Sequence, residues 1–239
     1  MIDAFSAAVA YAYLYAGGPQ VVKRVASWPG QAAHRYESKI PSVVWYHEGK
    51  PQAFCAEARS PMIAARADRE QWYLAEQFKL HVHPPSMASD RTVELIPLPP
   101  GVSVEQIYAD ILNYLYYQTK RFIEEREVEL TGGGQIWDRL AQRDAIEFII
   151  CHPSGWGFEE QTMLRNATIK AGLVQSIQVA AERVRFIGEA EASVHYVMFH
   201  ADLQTRLQVS PEHFLRLEAS NIGLVRCRLR CVRRGWLNH

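Results

Sequence analysis

The sequence predicts a single α/β domain with helices packed on a mixed sheet, and two patterns indicate this class. Short apolar runs separated by glycine- and proline-containing turns fill the amino-terminal part of the chain, which is typical of β-hairpins. Beyond residue 103, strand and helix periodicities alternate, as they do when helices connect the strands of one sheet. The 239 residues are enough to bury a sizeable core.

Charge and cysteine content limit the classes of partner. The chain has 26 Lys and Arg against 26 Asp and Glu, so its net charge attracts neither nucleic acid nor anionic lipid. We therefore expect no nucleic-acid or membrane partner. The four cysteines lack the spacing of a zinc site, which favours a reducing, cytoplasmic compartment.

The apolar run at residues 4–16 has two interpretations. A signal peptide contains such a core, but Asp3 stands where a basic region is required and the first lysine is Lys23. The run is also too short for a helix that crosses a bilayer. We interpret it as a buried strand, with a secreted protein as the alternative.

Hairpins and one helix are predicted before residue 100. Residues 5–16 and 20–27 form a first hairpin across a Gly-Gly-Pro turn. Residues 40–58 form a second hairpin with its turn at 48–50, because the preceding residues are aromatic and β-branched. A helical pattern over residues 61–80 follows.

The clearest helix begins after Ser103. Ser103 and Gln106 have the spacing of a capping box, and apolar residues then recur at the helical period. Just before it, His81 and His83 share one face of an alternating pattern. They provide only two metal ligands, so we interpret them as surface residues.

A buried strand, a turn and an amphipathic helix occupy residues 145–172. The turn contains His152 and Ser154. It could provide a nucleophile, bind a phosphate, or be only a structural corner. A hydrolase elbow requires Gly-x-Ser-x-Gly, which is absent here. Glu159 and Glu160 in the first turn of the helix would repel a phosphate. We therefore interpret the turn as a structural corner.

The remainder of the chain reads as strand 184–187, a helix from Glu189, and a divergent tail over residues 201–239. Ser210, followed by proline, predicts a further helix start. Near the end, apolar residues alternate with arginines over 225–231. This pattern predicts either an amphipathic edge strand or an unstructured basic tail.

Six stretches in colinear order carry a resemblance to a known family. They are residues 27–31 (SWPGQ), 39–43 (KIPSV), 77–81 (QFKLH), 97–102 with the helix that follows, 152–174 (beginning HPSGW), and 185–193 (RFIGEAEAS). Together they resemble the ATPase domain of the seventy-kilodalton heat-shock chaperones, and most closely its divergent, fungal-type branch. The likeness extends over roughly residues 2–200.

The resemblance implies a fold, cofactors and partners. The fold is the first lobe of an actin-like ATPase, with a five-stranded mixed sheet of ribonuclease-H type over residues 1–239. Residues 36–100, approximately, form an appended smaller subdomain. The implied cofactors are ATP and Mg²⁺, and the implied activity is slow ATP hydrolysis coupled to chaperone action on unfolded or partner proteins.

Two site residues are carried over from the family. Asp3 corresponds to the cofactor-binding aspartate that organises Mg²⁺ and its waters, and Glu189 to the catalytic glutamate beside the nucleotide's metal. No residue is predicted as a direct metal ligand. Each has a simpler alternative: Asp3 as a surface residue near the terminus, and Glu189 as a helix-capping residue with Glu191 in the same first turn.

The family's phosphate-binding turns are missing. No Gly-Thr-Thr follows Asp3, and no second glycine-rich turn follows the helix at Glu189. Glycine admits backbone N–H groups close to phosphate, so both losses predict weak or absent ATP binding. Arg59 occupies the place expected for the family's lysine. The resemblance also covers only one of the two lobes that enclose the nucleotide.

We therefore expect a truncated or degenerate, inactive member of the family. A non-catalytic interaction module on the same fold is the alternative. A less favoured hypothesis is an α/β hydrolase that uses Ser154 and His152.

Overall fold

A computed structural model describes most of the chain. It covers residues 6–14, 22–31, 38–83, 95–131, 137, 146–200 and 224–230. The strands are β1 (Ser6–Leu14), β2 (Val22–Arg24), β3 (Lys39–Pro41), β4 (Val44–His47), β5 (Lys50–Phe54), β6 (Tyr73–Ala75), β7 (Ile146–His152), β8 (Val184–Gly188) and β9 (Leu224–Arg230). The helices are α1 (Cys55–Ala58), α2 (Pro61–Arg69), a 3₁₀ helix (Phe78–Val82), α3 (Val104–Thr131), α4 (Phe158–Lys170), α5 (Ile177–Arg183) and α6 (Glu189–His200).

The larger sheet is mixed and has helices packed on it, which confirms the predicted α/β class. Its strand order is β2-β1-β9-β7-β8, and β3 also pairs with β1. Pairs β1–β9 and β7–β8 are parallel, whereas β7–β9 is antiparallel. Six strands are therefore present among the described residues, where the resemblance predicts five.

The additional strand is β9, and its position corrects the edge-strand interpretation. Val225 is aligned with Val9 of β1 on one side and with Ile150 of β7 on the other. The alternation of apolar residues and arginines correctly indicates a strand. It does not specify how many neighbours that strand has, because pairing depends on residues far away along the chain.

Strand β1 consists of alanines, tyrosines and other mostly apolar residues, and its burial confirms the interpretation as a buried strand. Its residues 8–12 are all buried. The backbone N–H of Val25 donates to the carbonyl of Val9 at 2.9 Å, which ties the segment after β2 to β1. Tyr11 packs edge-on against Phe122 of α3, with ring centroids 6.3 Å apart.

Helices α3 and α4 cover the larger sheet and begin where the sequence predicts. The backbone N–H of Gln106 donates to Ser103 Oγ at 3.2 Å, so Ser103 caps α3. Ile107 and Ile123 on its apolar face are completely buried. The side-chain amide of Asn113 donates to the carbonyl of Ala171 at 2.9 Å and joins α3 to the end of α4.

The smaller sheet has the order β5-β4-β6 and contains the predicted hairpin. Glu48 and Gly49 both have positive φ, 49° and 73°, as in the two-residue turns that suit the twist of a hairpin. The indole N–H of Trp45 donates to the carbonyl of Ala58 at 2.9 Å and ties β4 to α1.

The predicted helix over 61–80 is wrong beyond its first half. Helix α2 ends at Arg69, and β6 and the 3₁₀ helix occupy the remaining residues. Gln71 and Gln77 have φ of 55° and 53°, so each reverses the chain in the left-handed region. The helical pattern does not predict these reversals, because glutamine, unlike glycine, gives no sign in the sequence of a positive φ.

One hydrophobic core joins the two sheets. Val44 and Phe78 belong to the same buried cluster as Val9, Ile107 and Phe148. Residue 3, the Ser210 helix start and the residues flanking β9 lie outside the described residues. No helix within the described ranges is long and apolar enough to cross a membrane.

Candidate functional site

The carboxyl ends of β7 and β8 bring two predicted positions together. These strands are parallel, and their register ends with His152 opposite Gly188. The turn after β7 and Glu189 after β8 therefore lie at one edge of the sheet. In open α/β sheets, ligands bind outside the carboxyl ends of the strands.

The turn after β7 is held by hydrogen bonds of its own. The backbone N–H of Trp156 donates to the carbonyl of Pro153 at 3.0 Å. His152 Nδ1 lies 2.8 Å from the same carbonyl, so we assign the proton to Nδ1. With this tautomer, His152 Nε2 accepts from Gln161 Nε2 at 3.2 Å. Both ring nitrogens are thus engaged with groups other than Ser154.

The amino-terminal end of α4 is capped by the carboxylate of a residue in its own first turn. Glu160 Oε2 accepts from the backbone N–H of Gly157 at 2.7 Å, and Glu159 lies in the same turn. These acidic groups interact favourably with the positive end of the helix dipole. The geometry agrees with the interpretation of this turn as a corner that is unsuited to phosphate.

Glu189 forms a buried ion pair that sequence reasoning missed. Its Oε1 lies 2.7 Å from Lys79 Nζ, and the two side chains are 8% and 24% exposed. A buried carboxylate is costly without a compensating charge, so Lys79 stabilises the position of Glu189. The pair connects the start of α6 with the 3₁₀ helix, 110 residues earlier in the chain.

Aromatic side chains fix the 3₁₀ helix that carries Lys79. Phe78 packs edge-on against Tyr108 of α3, with centroids 5.1 Å apart. Tyr108 in turn packs against Trp156 at 6.2 Å. Burial, and then the charge of Glu189, raise the pKa of the Tyr108 phenol, which therefore stays protonated. The Lys79–Glu189 pair and the turn after β7 therefore share one aromatic support.

The two histidines do not form a metal centre. His81 Nε2 donates to the carbonyl of Ile96 at 2.8 Å. Burial, and then the positive charge of Lys79, lower the pKa of His83. No group of three or more His, Cys, Asp or Glu side chains suited to a metal occurs among the described residues.

Arg59, which stands where the resemblance places the family's lysine, is not the ion-pair partner of Glu189. Arg59 pairs instead with Glu76 at 3.0 Å, and its side chain is half exposed. Lys79 takes the place beside Glu189. The QFKLH stretch contains Lys79, so the colinear resemblance is the pattern that could have identified it. Asp3 lies outside the described residues.

The described residues do not fit Mg-ATP. The charge of Glu189 is already balanced by Lys79. A Cβ added to Gly188 would meet Ser154 Oγ at 3.6 Å, so the turn after β7 lies close to the end of β8. Together with the acidic capping of the amino-terminal end of α4, this geometry disfavours a triphosphate in this part of the site.

Comparison of the chain with protein-family models and with curated proteins found no match.

Proposed function

We propose that this chain is a degenerate nucleotide-binding domain of the seventy-kilodalton heat-shock type. Its ancestral activity is ATP binding and slow hydrolysis coupled to chaperone action, and in this chain ATP affinity is weak or absent. The supporting observation is the Lys79–Glu189 ion pair at the carboxyl end of β8. It gives the glutamate implied by the family resemblance a buried, fixed position at a sheet edge where ligands bind.

The mixed α/β architecture is compatible with an actin-like lobe as the finer description of this fold. Parallel strand β7 is followed by a turn and a helix, and parallel strand β8 leads directly into a helix, in the order that the resemblance implies. Strand β9 is an addition between β1 and β7 that the resemblance does not predict. The proposal therefore depends on the site and on the colinear stretches rather than on the strand count.

The alternative is a non-catalytic interaction module on the same fold. Several large apolar side chains are exposed, among them Met62 (80% exposed), Tyr73 (53%) and Phe158 (84%). Exposed apolar surface of this kind favours protein partners when it is contiguous. In this alternative the Lys79–Glu189 pair is purely structural.

Isothermal titration with Mg-ATP tests the proposal. We expect no saturable heat at micromolar nucleotide, because the phosphate-binding turns are missing and Glu189 is neutralised by Lys79. A Glu189→Gln variant and the exposed control Glu182→Gln should behave like the wild type. Saturable micromolar binding that disappears in Glu189→Gln and persists in Glu182→Gln would refute the claimed loss of affinity. Binding that persists in both variants would refute the assignment of the site.

A further inference from the structure

We draw no further inference here: the strongest candidate, the solvent-exposed side of α2 formed by Pro61, Met62, Ala64 and Ala65, is an unpartnered apolar surface, and nothing in the described part of the structure shows what covers it.

Discussion

Replacing Gly30 with alanine should lower the free energy of unfolding by about 2–5 kcal/mol. A non-glycine residue in the left-handed region costs about 1–2 kcal/mol, and overpacking costs about 1–3 kcal/mol more. Both costs apply here because φ is +81° and the new Cβ would lie 2.6 Å from the backbone nitrogen of Glu57 and 2.8 Å from the carbonyl carbon of Ala56. The contacted atoms are backbone, so they cannot rotate away as a side chain can. Urea denaturation measures the change.

Gly101→Ala is the matched control for Gly30→Ala. Gly101 has φ of +73°, but its added Cβ would meet no atom within 4 Å. Only the conformational cost applies, so the expected loss is about 1–2 kcal/mol. Equal losses in the two variants would contradict the close packing of the Trp28–Gln31 turn on α1.

Replacing Lys79 with methionine should cost about 2–3 kcal/mol. Removing one partner of a buried ion pair typically costs about 3–5 kcal/mol, because the other charge is left without compensation. The Glu189 side chain is 8% exposed, but that of Lys79 is 24% exposed, so water reduces the penalty. The double variant Lys79→Met with Glu189→Gln should recover part of the loss, because the unpaired charge is removed.

Arg59→Met provides the comparison for Lys79→Met. Arg59 and Glu76 are also an ion pair at hydrogen-bond distance, but the side chains are 50% and 28% exposed. Exposed pairs contribute about 0–1 kcal/mol, so the expected loss is small. If Arg59→Met destabilised the protein as much as Lys79→Met, the Lys79–Glu189 pair would have no special structural role.

Local features of the fold could be predicted from the sequence. Ser103 identifies the start of α3 because its cap depends on residues three positions apart. The helix after Gly157 follows from its amphipathic pattern, and its end from Gly172, which has a positive φ. Glu189 was placed at the end of a strand by the residues around it.

Long-range features could not be predicted in this way. Lys79 and Glu189 are 110 residues apart, and no periodicity connects them. The 3₁₀ helix that positions Lys79 begins after Gln77, whose left-handed backbone has no cue in composition. Strand β9 lies in the middle of the sheet because it pairs with β1 on one side and with β7 on the other. The alternating pattern within β9 does not predict these two partners.

We propose that this chain retains the fold of a nucleotide-binding domain but has lost its phosphate-binding turns. Thermal unfolding with and without Mg-ATP tests this proposal most directly. A ligand at a concentration one hundred times its Kd stabilises the folded state by about 2.7 kcal/mol. We predict that millimolar Mg-ATP leaves the Tm of the wild type and of Glu189→Gln unchanged relative to Mg²⁺ alone. A Tm that rises steadily with Mg-ATP in the wild type, and not in Glu189→Gln, would contradict the claim.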